Sequence, residues 1–166
     1  MTSSAVRTHI TLPSPIGPLT LVAEAGQLTA LYMDAQRHRP DETSLGVRGD
    51  QDAAPFVAAA RQLADYFAGQ LTEFDLPLAP AGTAFQREVW AALQAIPYGQ
   101  TWSYAQLAEK IGRASAVRAV GLANGKNPIA LVIPCHRVIG SDGSLTGYGG
   151  GLDRKRFLLD LESRRA

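Results

Sequence analysis

The stretch Ser103-Tyr-Ala-Gln-Leu-Ala-Glu-Lys-Ile-Gly-Arg-Ala-Ser-Ala-Val-Arg-Ala-Val-Gly-Leu-Ala-Asn124 decides how the second half of the chain folds. Ser103-Tyr-Ala-Gln106 has the pattern of a capping box, in which a helix start satisfies its own free N–H groups. The helix it opens ends at Gly112, and Gly112-Arg-Ala114 leads into a second helix over Ser115 to Asn124. Two short helices joined by a Gly-containing turn make a helix-turn-helix. At 100° per residue Ala116, Val117, Val120 and Asn124 share one side of the second helix; Ser115, Arg118, Ala119 and Leu122 lie on the other. A solvated face normally carries several charges, and this one carries a single arginine. Either Leu122 packs under a loop, or the small residues allow close approach to a nucleic-acid groove into which Arg118 projects.

Upstream, Thr83-Ala-Phe-Gln86 is another capping box, and Phe85, Val89, Leu93 and Ile96 follow on one helical face until Pro97-Tyr-Gly99 stops the helix. The segment Leu76-Pro-Leu-Ala-Pro-Ala-Gly82 reads as a linker. This divides the chain into an N-terminal α/β domain, residues 1–78, and a mostly helical C-terminal domain, residues 79–166. In the first, Gly17 to Glu24 and Gln27 to Met33 flank Ala25-Gly26 as a hairpin, and Val6 to Leu12 adds a third strand of a small antiparallel sheet. Residues 35–54 read as a loop. Phe56, Ala60, Leu63, Phe67 and Leu71 recur at helical spacing.

With 46% hydrophobic and 19% charged residues in 166, the chain is globular and large enough to bury a core. Its longest apolar stretch, Ile129 to Ile133, falls far short of the ~20 residues that span a membrane. The start lacks the basic-then-apolar pattern of a secretory signal, which makes the cytoplasm the default location. Net charge is +1, but residues 1–78 hold 5 Lys+Arg against 9 Asp+Glu, and residues 79–166 hold 11 against 6. A polyanion is therefore drawn to the C-terminal half. One cysteine excludes an internal disulfide and zinc sites of several thiolates, and His9, His38 and His136 are scattered.

That cysteine, Cys135, lies between Pro134 and His136 after an apolar run read as a buried strand. A lone Cys there is by itself more often a core residue than a nucleophile. On a strand, neighbours point to opposite faces, so Cys135 and His136 meet only if the chain bends, which Pro134 permits. Nucleophilic chemistry needs the thiolate, only a few per cent populated near neutrality at an ordinary pKa of ~8.5. His136 can act as base if one of the downstream acids, Asp142, Asp153, Asp160 or Glu162, orients it. The Gly-rich Thr146-Gly-Tyr-Gly-Gly-Gly151 reads either as a plain loop or as a mobile flap with Tyr148 at its tip. A helix carrying Leu152, Phe157, Leu158 and Leu161 follows.

Pro134-Cys-His-Arg-Val138 resembles the active-site signature of the O6-alkylguanine-DNA alkyltransferases, also called methylated-DNA–protein-cysteine methyltransferases. Pro97-Tyr-Gly, Ser103-Tyr-Ala-Gln-Leu, Ala116-Val-Arg-Ala-Val-Gly121, Asn127-Pro, Tyr148-x-Gly-Gly-Leu and Leu158-Leu-x-x-Glu162 fall in the same order and spacing. The resemblance is strong over residues 83–162 and weaker over the N-terminal part with Ser14-Pro-Ile-Gly-Pro-Leu. It implies a ribonuclease H-like N-terminal domain, a winged helix-turn-helix, and single-turnover transfer of an alkyl group from O6-alkylguanine, and O4-alkylthymine, in flipped-out duplex DNA. Cys135 is then the acceptor, activated through water by His136, which Glu162 orients, while Asn127 braces the turn. Tyr104 assists rotation of the nucleotide and donates to the leaving guanine. Arg118 fills the gap in the duplex, on a DNA-binding surface with Ser115, Ala119, Gly121 and Leu122. Backbone groups at Cys135 and Val138 read the guanine amine, and Tyr148 and Gly149 cover the base.

The resemblance also implies no cofactor and a monomer that can assemble cooperatively on DNA. Two departures stand out. The cysteines through which some relatives bind zinc are missing, so no metal is expected. Gly149 replaces a serine common in relatives, which leaves only its backbone N–H and bears on substrate range. A base whose O6 lies inside the duplex must be extruded before reaction, and a thioether product offers water no good leaving group. Two rivals remain. A cysteine hydrolase would leave Arg118 unused. A non-catalytic alkylated-DNA-binding protein resembles relatives that have lost the cysteine.

Overall fold

The computed structural model describes residues 6–37 and 39–165. His38 and the leader-free reading of the first five residues lie outside them. Strands β1 (Thr8–Leu12), β2 (Leu19–Glu24) and β3 (Gln27–Met33) form antiparallel pairs, with Ile10 opposite Leu21 and Leu21 opposite Leu31. The β2–β3 turn is tight because Ala25 and Gly26 both take positive φ, 54° and 78°; glycine adopts that region freely. Residues 35–54 are not all loop. A 3-10 turn over Glu42–Leu45 leads to β4 (Val47–Arg48), which pairs parallel to β1, so the sheet is mixed with order β3-β2-β1-β4. Two residues of ladder leave too little periodicity to be read in advance.

Helix α1 (Phe56–Phe67) buries Phe56, Ala59, Leu63 and Tyr66. It stops at Ala68 and Gly69, so Leu71 packs on the core from outside the helix. Leu19, Leu21, Leu31, Phe56 and Leu63 belong to one apolar cluster that continues through Val89, Leu93, Val120 and Ile133. The two halves of the chain therefore share a core.

In the C-terminal half α2 (Ala84–Leu93) and α3 (Tyr104–Lys110) both open on complete capping boxes. Thr83 Oγ1 accepts from Gln86 N at 3.1 Å while Gln86 Oε1 accepts from Thr83 N at 3.0 Å, and Ser103 and Gln106 repeat this at 3.1 and 2.7 Å. Each cap is worth ~1 kcal/mol. Helix α4 (Val117–Gly125) packs on α2 and α3, and Trp90 Nε1 of α2 donates to Ala123 O at 2.8 Å. Strands β5 (Trp102–Ser103) and β6 (Val138–Ile139) form a small parallel ladder beside α3, and α5 (Leu152–Arg165) closes the chain.

The apolar run before the cysteine is not a strand. Only Ile129 bridges to the sheet, opposite Leu31, after which the chain turns, with Leu131 at φ 71°. A leucine pays a steric cost there that surrounding contacts must hold in place. Those contacts are strong: Leu31 N donates to Pro128 O at 2.8 Å, and Leu131 is 1% exposed. The outer edge of β3, which Leu78 bridges at Leu28, thus docks at Leu31 the segment that leads into Cys135.

Candidate active site

Asn127 spans the turn from both ends. Its Oδ1 accepts from Ile129 N at 3.0 Å and its Nδ2 donates to Ile133 O at 2.7 Å. Beyond Pro134 the chain enters one turn of 3-10 helix over Cys135–Arg137, the bend that brings Cys135 and His136 into one site. All three side chains of that turn are buried.

His136 Nε2 lies 2.7 Å from Glu162 Oε2. The Arg137 guanidinium and the His136 contact keep Glu162 ionised against its burial, and a carboxylate only accepts, so Nε2 carries the proton and Nδ1 of the neutral ring presents its lone pair. Among the described residues Nδ1 has no hydrogen-bond partner. Arg137 Nε donates to Glu162 Oε1 at 2.8 Å, its Nη2 to Oε2 at 3.1 Å, and its Nη1 to Ile96 O at 2.7 Å. Tyr66 of α1 adds a fourth donor, its hydroxyl 2.6 Å from Oε2. Burial alone would raise the Glu162 carboxyl, but these His136 and Arg137 contacts bring it down to about 2.

Burial pushes the Cys135 thiol up, opposed by the Asn127 side chain and the Lys155 charge; burial pushes the His136 imidazolium down, opposed by Glu162. The resting pair is a neutral thiol and a neutral imidazole. Lys155, fully buried on α5, donates from Nζ to Val138 O at 2.5 Å and to Thr146 O at 2.7 Å, and burial lowers its ammonium to about 8.

The cavity at Cys135 has a volume of only about 10 Å³, with Gln36, Asn124, Asn127 and Gly147 to Gly150 among its lining. Tyr148 is not at an exposed tip. Its ring is 8% exposed, its hydroxyl is 4.0 Å from Met33 Sδ, and burial raises its phenol well above the usual value. Gly149 O accepts from Arg37 N at 2.8 Å. A side chain at Gly150 would collide with Met33 and the Tyr148 ring, so only glycine lets the segment press this close. The N-terminal half therefore holds the Gly-rich segment down over the thiol.

On the outer side, Ser115, Arg118, Ala119 and Leu122 are all exposed, Leu122 by 65%, so it does not pack under a loop. Ser115 precedes the helix, whose first residue is Val117. Gly121 faces inward rather than out: a Cβ there would meet the Tyr104 ring at 3.6 Å. Tyr104, at the start of α3, donates to Thr146 O at 3.2 Å. Val138 is buried in β6, where its carbonyl is taken by Lys155. Among the described residues no group of three or more His, Cys, Asp or Glu side chains is placed to hold a metal.

Sequence reasoning missed Tyr66, Arg137, Lys155 and Gln36. The helix after the Gly-rich segment carried a usable signal. Lys155, Leu158 and Glu162 recur at helical spacing and are its buried face, whereas Leu152 and Phe157 are 46% and 37% exposed. Two charged residues in register with a buried leucine mark a polar network.

A family model described as the 6-O-methylguanine DNA methyltransferase DNA-binding domain matches residues 84–164, and one for the ribonuclease-like domain of the same proteins matches residues 8–80. The methylated-DNA–protein-cysteine methyltransferase of Mycobacterium tuberculosis is 55% identical over 94% of this chain and 92% of its own length. The chain belongs to this methyltransferase family. The family member of Salmonella typhimurium is 48% identical over 91% of this chain and 92% of its own. The crystal structure of the Mycobacterium tuberculosis protein in complex with DNA superposes with a TM-score of 0.87 at 54% identity, covering 96% of this chain and 94% of that one. An archaeal methyltransferase from Pyrococcus kodakaraensis, 20% identical with a TM-score of 0.54, shares the fold. The methyltransferase fold expected from sequence, a ribonuclease-like α/β part followed by a helical DNA-binding part, is the one observed.

Proposed function

We propose that this protein repairs DNA by moving an alkyl group from O6 of guanine, and from O4 of thymine, in duplex DNA onto Cys135, once per molecule. The observation that carries the reading is a buried thiol in the same turn as a histidine whose Nε2–H is anchored 2.7 Å from a buried carboxylate. The anchoring leaves Nδ1 free to take the thiol proton through a water. Sγ then bonds to the alkyl carbon as the carbon–O6 bond breaks. The electron pair returns to the base, and the proton lost by sulfur is made good on the guanine, with Tyr104 as hydrogen-bond or proton donor. The product thioether resists hydrolysis, so no cofactor or metal enters the cycle.

Double-stranded DNA is the partner. The face of α4 supplies contact, with Ser115, Ala119 and Leu122 close to the groove, Gly121 giving room to Tyr104, and Arg118 filling the stack vacated by the extruded base. The resting cavity is far smaller than a guanine, so the segment carrying Tyr148 and Gly149 must shift for the base to enter. Main-chain groups of Cys135, Val138 and Gly149 then read it. We assign residues 1–78 and 79–166 as the two domains, a monomer that can assemble cooperatively on DNA, and a cytoplasmic location, at the nucleoid if the source is bacterial. Among the described residues no helix is long and apolar enough to cross a membrane.

Incubation with duplex DNA containing O6-methylguanine, followed by peptide mass mapping, tests the reaction. One methyl on Cys135 and a stop at one equivalent are expected. Continued turnover would instead favour a cysteine hydrolase, and binding without methylation a non-catalytic reader of damage.

A further inference from the structure

Tyr66 belongs to α1, in the half of the chain that supplies none of the reacting groups. Its ring is 1% exposed, edge-on to Phe67 and Tyr98 and tilted against Phe74. The hydroxyl points out of this aromatic cluster and donates to Glu162 Oε2 at 2.6 Å, across 96 residues of sequence. That oxygen is the one His136 Nε2 approaches to 2.7 Å. Arg137 Nη2 reaches it at 3.1 Å and Arg137 Nε takes Oε1 at 2.8 Å. A carboxylate offers about four acceptor sites, about two on each oxygen, and here three donors crowd Oε2 while one takes Oε1. Donors on one oxygen compete for its charge. A strong Tyr66 bond weakens the hold of Oε2 on the imidazole proton, and its loss strengthens that hold.

We infer that Tyr66 is a positioning residue of the transfer site, contributed by the N-terminal half: its hydroxyl sets how much charge on Glu162 Oε2 is left for His136, and so how readily His136 takes the thiol proton. This rests on the reading of Cys135, His136 and Glu162 as a relay. Burial and the Glu162 charge raise the Tyr66 phenol far above its usual value, so it remains a donor throughout. The other groups facing this centre are Arg137 and Tyr98 beside the carboxylate, Tyr148 from the Gly-rich segment, and Lys155 beside His136 and Cys135. Burial lowers the Lys155 ammonium to about 8. Its bonds go to Val138 and Thr146 rather than to Tyr66, so its contribution is common to both proteins compared below.

The test is the single-turnover rate of the full-length protein on duplex O6-methylguanine DNA across neutral and alkaline pH. Tyr66→Phe keeps the ring and deletes the O–H. Its pH–rate profile is expected to move toward acid by about half a pH unit, the scale of one neutral hydrogen bond, with DNA affinity unchanged. Incorporation of 3-fluorotyrosine in place of Tyr66, a stronger donor of nearly the same shape, is expected to move it toward alkali. A merely structural tyrosine would give neither shift nor opposite signs. An unmoved or alkaline-shifted profile in Tyr66→Phe overturns the inference, and if that variant folds poorly the fluorotyrosine protein decides in the same way. Glu162→Gln runs alongside. If it leaves the profile unmoved, the relay falls and the inference with it; if it moves the profile and Tyr66→Phe does not, only the role of Tyr66 is lost.

Discussion

Cys135 is 6% exposed and its thiol is pushed up by burial, so its reactivity depends on what surrounds it when DNA is bound. Cys135→Ser should abolish methyl transfer while changing DNA affinity less than about twofold, because affinity rests on phosphate contacts elsewhere; any stoichiometric methylation of that variant would remove Cys135 from the reaction. Glu162→Gln should slow transfer and move the pH–rate profile toward alkali, since an amide stabilises an imidazolium less than a carboxylate does. An identical profile in the two proteins would exclude Glu162. Cys135 stood out in the sequence as the lone cysteine, although a core role was the commoner reading, whereas Glu162 stood out only through family resemblance: Asp142, Asp153 and Asp160 were equal candidates by composition. Asp142 in fact serves its own turn, accepting from Ser144 N at 3.0 Å. Tyr66 and Gln36 carried no local signal, because each reaches the site from a distant part of the chain.

At the scale of elements, the helix-turn-helix was the most legible part of the molecule. Its capping boxes, the end of α3 near Gly112 and the outer face of α4 all follow from contacts within a few residues, which local sequence encodes directly. Arg118 lies on that exposed face, with Leu122 on the same side. If Arg118 fills a vacated stack, it matters only where a stack exists. Arg118→Ala should lose roughly 10- to 100-fold in transfer from alkylated duplex, the ~1–3 kcal/mol of a well-placed nucleic-acid contact. Transfer from a free alkylguanine base should hardly change. Both rates must be measured at one salt concentration, because a lost cation also weakens phosphate attraction; equal losses on both substrates would assign Arg118 to the fold. The run Ile129 to Ile133 behaved differently. Its composition reads as a strand, but Asn127 and the edge of β3 force it into a turn.

Across the whole molecule, the Glu162 network ties α1, the cysteine turn and α5 into one polar centre, and stability should depend on its charge. The Glu162 carboxyl is depressed from 4.5 to about 2, so its contribution is complete above the unfolded value and is lost as pH falls between those two values. The loss is of order 3 kcal/mol. The lowered imidazolium of His136 acts in the same direction from about pH 6.5 downward, because the unfolded chain then binds a proton that the folded one resists. Chemical denaturation at a series of acid pH values should show this decline, and Glu162→Gln should flatten its lower part; parallel curves would place the acid sensitivity elsewhere. Methylation of Cys135 adds volume where only about 10 Å³ is open. Overfilling typically costs ~1–3 kcal/mol, so the methylated protein should melt roughly 3–10 °C lower; an equal or higher melting temperature would show that the pocket relaxes freely. Sequence by itself determined the capped starts of α2 and α3, the β2–β3 hairpin, the charge asymmetry and, by its motifs, the family, because each rests on short-range pattern or on residues met in order. Tertiary structure alone decided that the chain before Cys135 turns instead of extending, that Tyr148 is buried against Met33, and that Tyr66, Arg137 and Lys155 complete the site. Those outcomes depend on polar groups and strand edges distant in sequence finding partners in a shared core, where an unpaired charge or backbone group would be too costly to leave.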